Sequence, residues 1–256
     1  MIRFASLGSG SEGNALIIER NRTRLLLDCG FGLRDITTRL ARSGLSPADI
    51  SAIVITHEHS DHMNGIAPLA RRFQIPVYAS FGTFSAAAKM AQALPSLRPY
   101  DSHDTFEIGD LQIMPFPVPH DAREPTQHVF SDGQYRLGVL TDVGHITPLI
   151  ETTLSGCHAL VLECNHDLSM LSNGPYPYPL KQRVAGKFGH LSNEQAATLL
   201  QTIDTRPLQH ILAAHLSKTN NHSMLAATAL ASALDCSTDW IGIATQDTGF
   251  DWRQIG

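Results

Sequence analysis

No stretch of this chain approaches the roughly 20 consecutive apolar residues of a membrane-spanning helix. The apolar residues after Met1 stop at Gly8 and Ser9, too soon for the core of a secretion signal. A cytoplasmic protein is therefore expected. Cysteine is scarce. Cys29, Cys157, Cys164 and Cys236 lack the CxxC spacing of a zinc ribbon or redox pair, and buried free thiols are expected. No low-complexity tract or linker interrupts the chain, because the 19 glycines and 14 prolines are spread along it. A basic surplus is also missing. The net charge of −5 excludes avid, non-specific DNA binding through a globally basic surface, but leaves a local basic groove open.

What is present is an ordinary globular balance, with 43% hydrophobic and 17% charged residues over 256 positions. That length suffices for a sizeable core, and a single domain over residues 1–256 is expected. The unusual feature is histidine, with 13 residues.

Short runs rich in Ile, Val and Leu predict strands at Leu25–Leu27, Ile53–Ile55, Val77–Ala79, Leu111–Met114, Tyr135–Leu140, Ala159–Leu162, Ile211–Ala213 and Trp240–Ala244. Their near-continuous apolar character suits strands covered on both faces. Helices are predicted at Leu33–Ser43, stopped by Gly44, at alanine-rich Phe84–Leu94, and at Met224–Leu234. A fourth, Asn193–Ile203, follows Ser192 with Gln195 in capping-box spacing. The alternation gives an α/β or mixed α+β class.

Metal-binding residue types recur just past these strands. Asp28, His57, His120, Asp142 and His215 each follow an apolar run, so the loops beyond the strand ends should converge on one edge. The densest segment is Thr56-His57-Glu58-His59-Ser60-Asp61-His62, an HxHxDH pattern. His57 and His59 can project to one side of a tight loop and chelate one ion, while Asp61 and His62 face a second ion a turn later. Imidazole and carboxylate together suit zinc, manganese or iron better than calcium or magnesium. A carboxylate such as Asp142 has two oxygens and can bridge two cations. Taken singly, His120, Asp142 and His215 also read as a core histidine or a turn aspartate.

In this order the motifs resemble the metallo-β-lactamase superfamily along nearly the whole chain. The resemblance implies a four-layer αββα sandwich. It implies one metal site of His57, His59, His120 and Asp142, and a second of Asp61, His62, His215 and the bridging Asp142. Asp28 would orient ligands without binding metal. Flavodiiron relatives typically carry an acidic residue where this chain has His59, which argues against redox chemistry.

Further segments resemble the WalJ (YycJ)-type exonuclease branch. They are Ser9-Gly10-Ser11-Glu12-Gly13-Asn14, Leu162-Glu163-Cys164-Asn165-His166-Asp167, Tyr176-Pro177-Tyr178-Pro179-Leu180-Lys181, Gly189-His190-Leu191-Ser192-Asn193 and Ala214-His215-Leu216-Ser217-Lys218. Read from the residues, the Ser9–Asn14 loop can offer backbone N–H groups to a phosphate, or be a plain turn. His190, just before a helix cap, can protonate a leaving alkoxide, or be an ordinary loop histidine. Asn165 and His166 join the candidate substrate contacts, although His166 and Asp167 read equally as ligand supports or an accessory metal site. Lys181, Arg183, Lys187 and Lys218 form a late basic cluster, fit for a nucleic-acid backbone or simply solvated.

The expected protein is thus a hydrolase with two divalent metals that attacks phosphodiesters with a metal-bridging hydroxide. DNA is the expected substrate, cut as an exonuclease would, with Asp61 or His190 assisting proton transfer. The alternative is a hydrolase of a small cyclic phosphodiester, thioester or lactone on the same site.

Overall fold

The structure, a computed structural model, describes all residues 1–256. Two seven-stranded sheets face each other. The first comprises β1 (Ile2–Gly8), β2 (Ala15–Arg20), β3 (Thr23–Leu27), β4 (Ala52–Val54), β5 (Val77–Ser80) and β6 (Leu97–Tyr100), with β14 (Phe250–Ile255) on the far side of β1. The second runs in chain order from β7 (Phe106–Ile108) and β8 (Leu111–Pro117) through β9 (Thr126–Ser131) and β10 (Arg136–Leu140). It continues with β11 (Ala159–Glu163), β12 (His210–Ala214) and β13 (Gly242–Ile243).

Side-chain alternation explains the layering. Leu25 and Leu27 of β3, with Ala52 and Val54 of β4, turn inward against Val139, Val161 and Leu212 of the opposite sheet. Leu26 and Ile53 turn outward beneath Ile36 and Leu40 of the helix Leu33–Arg42 and Ile66 and Leu69 of the helix Ile66–Phe73. The second sheet repeats the arrangement. Leu160, Leu162 and Ile211 face Leu199 of the helix Asn193–Thr202 and Leu230 of the helix Ser223–Leu234. Each sheet is therefore apolar on both faces, which is why its strands read as continuous runs rather than alternating ones. The result is the expected αββα sandwich of the metallo-β-lactamase fold.

Several predicted elements differ in detail. The Phe84–Leu94 helix is two short helices, Phe81–Ala86 and Ala88–Ala91. None of Ala88–Ala91 is buried, so no packing holds one continuous helix, and alanine propensity alone is too weak. The last predicted strand shrinks to Gly242–Ile243, because Thr238–Trp240 closes a 3₁₀ turn. β8 outruns its prediction past Pro115 to Pro117. From Met114 onward it pairs only with β9, so the missing proline N–H groups leave no second ladder unmade. The capping box at Ser192 and Gln195 forms as read.

In each sheet a parallel block, β3–β4–β5–β6 and β10–β11–β12–β13, sends its strand C-termini to one edge. The loops leaving these ends carry the residues singled out in the sequence.

Candidate metal centre

Backbone geometry aims three of these residues. Asp28, immediately after β3, Asp142, two residues after β10, and His215, immediately after β12, all take left-handed φ values, 60°, 54° and 55°. Such a conformation costs about 1 kcal/mol or more for a residue other than glycine, although Asp and His tolerate it better than most. Here it turns the chain sharply at the sheet edge, and the three side chains are almost wholly buried.

The His57–His62 loop is held from both sides. Asn14 N–H donates to the Asp61 carbonyl at 2.8 Å, and Cys29 N–H to the His62 carbonyl at 2.7 Å. Gly30 is required beside it, because a Cβ there would overlap the Asp61 carbonyl. His59 leads into the short helix Ser60–Met63, which sets Asp61 and His62 one turn on from His57.

Each histidine is held through one nitrogen, so that the other turns to a common centre. His62 Nδ1 donates to Asp28 at 2.7 Å. His120 Nδ1 donates to the Gly189 carbonyl at 3.0 Å, and His57 Nδ1 meets the Thr56 hydroxyl at 2.9 Å. His215 Nδ1 lies 3.3 Å from Glu163 Oε1. These four leave Nε2 inward. His59 is reversed: its Nε2 meets the Asp121 carbonyl at 3.2 Å, and its Nδ1 sits 3.3 Å from His120 Nε2.

Two compact donor groups result. His57, His59 and His120 offer ligand atoms within 4.8 Å of one another, as do Asp61, His62, Asp142 and His215. Asp142 stands between them, with Oδ2 at 3.2 Å from His62 Nε2 and Oδ1 at 4.0 Å from His120 Nε2. His57 Nε2, His215 Nε2 and Asp142 Oδ2 are buried without a hydrogen-bond partner. Burying three such atoms unsatisfied is costly, and cations between them would satisfy all three. The residues therefore fit divalent metal ions, and the mix of imidazole and carboxylate favours transition metals.

The electrostatics agree. Burial disfavours a charge on His215, yet Asp142, Asp61 and Glu163 outweigh it and push its pKa up to about 10. Burial opposes ionisation of Asp142, but His215 and His62 hold its carboxyl well below the usual range. Burial and the neighbouring His62 keep His57 neutral, as a ligand must be. Around Asp142 so much negative charge converges that, against their burial, the imidazoles of His62 and His215 are driven to protonate.

A cleft of about 280 Å³ opens over Asp61, Asp142, His190 and His215. Glu163, read in the sequence only as part of the Leu162–Asp167 segment and given no role there, lies beneath it. This fully buried carboxylate accepts from His190 Nδ1 at 2.8 Å and from the backbone N–H of Val143 and Leu191. Asp142, Glu163, His190 and His215 also lie close enough to form a third potential ion-binding group. Its sequence signals were a charge closing an otherwise apolar strand and its place in the Leu162–Asp167 segment.

The expected substrate contacts divide. Ser9 and Asn14 are turned inward rather than toward a phosphate. Ser9 Oγ accepts from His215 N–H at 2.9 Å, and Asn14 Nδ2 lies 3.2 Å from His62 Nε2, so both brace ligand loops. Asn165 donates to the His215 carbonyl, and His166 is 1% exposed, out of reach of a substrate. Asp167 caps the helix Leu168–Asn173. Arg183 lines the cleft and pairs with Asp121 at 2.7 Å. Lys187 is exposed, Lys181 donates to the Ser172 carbonyl, and Lys218 pairs with Glu12 at 2.7 Å.

A family model described as the beta-lactamase superfamily domain matches residues 23–212. The chain is 34% identical to exodeoxyribonuclease YycJ of Bacillus anthracis, covering 91% of this chain and 89% of that protein. It is also 34% identical to exodeoxyribonuclease WalJ of Streptococcus pneumoniae, over 94% and 91% respectively. Among solved structures, the metallo-beta-lactamase fold protein YhfI of Bacillus subtilis superposes with a TM-score of 0.77 at 16% identity, covering 98% of both chains.

Proposed function

Because the chain belongs to the beta-lactamase superfamily, we propose that it is a metal-dependent phosphodiesterase that shortens DNA from an end. The carrying observation is the pair of donor groups joined through Asp142 at the floor of an open cleft. The two curated relatives, alike over nearly their whole length and both named exodeoxyribonucleases, supply the substrate class.

In this reading His57, His59 and His120 would hold one ion, and Asp61, His62 and His215 a second, with Asp142 available to both. Zinc and manganese both suit the donors. When bound, the ions acidify water to a nucleophile at neutral pH and offset the charge gathering on the phosphate.

The chain's own groups do the rest. His190, in the cleft wall, gives Nδ1–H to Glu163; burial opposes a charge on the ring, but Glu163 outweighs it and raises its pKa, favouring the doubly protonated form whose Nε2–H can serve the leaving oxygen as a proton donor. Glu163 also fixes the ring's orientation, and the capping box at Ser192 anchors the following helix so that His190 cannot drift. Asp61 serves as a ligand rather than as the acid, since its carboxylate already lies 3.4 and 3.5 Å from His62 and His215. Arg183 stands at the cleft wall for a substrate phosphate once released from Asp121. A reducing, cytoplasmic setting accords with four unpaired cysteines, three of them buried.

The test is degradation of end-labelled DNA by manganese-loaded protein, with Asp142→Ala as the control. Shortening by the wild type alone supports the reading, and the label position gives the polarity. Intact DNA in every metal would move the substrate to a small ester.

A further inference from the structure

The turn Ser9–Asn14 joins β1 to β2 and braces the metal centre through its two ends. Ser9 Oγ accepts from His215 N–H, and Asn14 N–H donates to the Asp61 carbonyl. Ser11, midway between them, is exposed and lines the same cleft as Asp61, His190 and His215. The turn is locked from within and from behind. Asn14 Oδ1 accepts from Gly10 N–H at 2.9 Å, and Gly13 N–H closes onto the Gly10 carbonyl at 3.2 Å. From the connection between β13 and β14, Gln246 Oε1 accepts from Glu12 N–H at 2.8 Å, and its Nε2 donates to the Gly13 carbonyl at 2.8 Å. Gly10 permits this approach, since a Cβ there would lie 2.6 Å from Gln246 Oε1.

Ser9 N–H goes to the Thr245 carbonyl at 3.0 Å, so every N–H of the turn is committed except that of Ser11. The Ser11 hydroxyl is likewise free of any partner within the chain. Two donors therefore sit at one point of a fixed backbone, at the cleft. The cleft has few others. Its carboxylates, Asp61, Asp121 and Asp142, repel an anion. Arg183 is held by Asp121 through Nε at 2.8 Å and through a second nitrogen at 2.7 Å. Gly189 N–H is taken by the Gly186 carbonyl, and His190 faces the leaving oxygen. The Tyr176 hydroxyl and the Ser11 pair are left, and only Ser11 couples a hydroxyl with a backbone N–H. Its acidic neighbour Glu12 is paired with Lys218 at 2.7 Å, which offsets that charge.

We propose that Ser11 is a substrate-binding residue, whose N–H and hydroxyl together hold a non-bridging oxygen of a DNA phosphate in the cleft. The proposal rests on the DNA reading above and adds the residue that orients the phosphate. Hydrogen bonds to a charged oxygen are shorter and stronger than those between neutral groups, so two neutral donors suffice. Attraction to positive charge is non-directional, whereas donors fixed by the turn accept the phosphate in one orientation, as in-line attack requires. A grip on the backbone ignores the bases, so it carries no sequence preference.

The experiment measures binding of thymidine 5′-monophosphate to manganese-loaded wild type, Ser11→Ala and Ser11→Thr by calorimetry, alongside steady-state cleavage of end-labelled DNA. Ser11→Ala keeps the N–H and loses the hydroxyl. It should weaken thymidine 5′-monophosphate about tenfold and raise KM for DNA by a like factor, with metal content unchanged. Ser11→Thr, which keeps the hydroxyl, should bind as the wild type does. An unchanged Kd and KM in Ser11→Ala, with DNA still cut, overturns the Ser11 contact alone. Loss of metal in Ser11→Ala assigns the turn a purely structural role and likewise overturns the contact. DNA left intact by the wild type overturns the DNA reading and the contact with it.

Discussion

Asp28 reaches neither donor group, yet its Oδ2 holds Nδ1 of His62 at 2.7 Å in a buried contact. The same carboxylate accepts from Thr56 N–H and the Thr56 hydroxyl, tying β3 to the histidine loop. Asp28→Asn keeps the shape and the left-handed turn but removes the charged acceptor. Affinity for the ion held by His62 should fall about 10- to 100-fold, as expected for a lost ligand support. Competition with a calibrated chelator reads this directly, and an unchanged affinity would show that His62 needs no support from Asp28.

Asp142→Asn tests the shared ligand. Asparagine tolerates the φ of 54° that this position requires, so the fold should persist. Metal content by mass spectrometry should drop from two ions to one or none, and cleavage should disappear. Two ions retained would mean that Asp142 is not the bridge.

His190→Gln separates proton donation from metal binding. It should keep both ions while kcat falls about 10²- to 10⁴-fold. Loss of an ion instead would assign His190 to the coordination set, in keeping with the third group formed with Asp142, Glu163 and His215.

A pH effect arises away from the centre. His128 is fully buried, with Nε2 2.9 Å from the Tyr100 hydroxyl and Nδ1 without a partner. Burial depresses its pKa to about 3, below the ordinary 6.5. Between these values the unfolded chain binds a proton that the folded chain refuses, so stability is full above pH 6.5 and is lost as the pH falls toward 3. From pH 7 to pH 5 this one group should cost about 2 kcal/mol. Urea unfolding of metal-loaded protein at the two pH values should show a smaller loss in His128→Gln than in wild type. Equal losses would place the acid sensitivity elsewhere.

The His57–His62 segment was legible because its chemistry is local: four donors in six residues leave a pattern that no packing requirement imitates. Asp142 and His215 were legible by position, since each follows a buried strand. Glu163 was not, because a single carboxylate closing an apolar run has no spacing to mark it. Its partners, His190 and His215, arrive from loops 27 and 52 residues further along the chain. Ser9 and Asn14 were placed in the right neighbourhood but given the wrong direction, because a Gly-rich loop does not reveal which side of it faces solvent. β1 went unread because Arg3 and Ser6 interrupt its apolar run, and β2 was passed over although Ala15–Ile18 is as apolar as the runs that were read.

Ile2 pairs with Ile255 across β1 and β14, and His215 N–H reaches back to Ser9 beside the end of β1. Contacts between such distant positions close late, because the entropy of joining a long loop must be overcome before they contribute anything. The second sheet is made of strands that neighbour one another in sequence and can assemble as they are synthesised. The first sheet must wait for its last strand. Until it docks, the turn that bears His215 lacks the brace from Ser9, so ion uptake should follow the final folding step rather than guide the earlier ones.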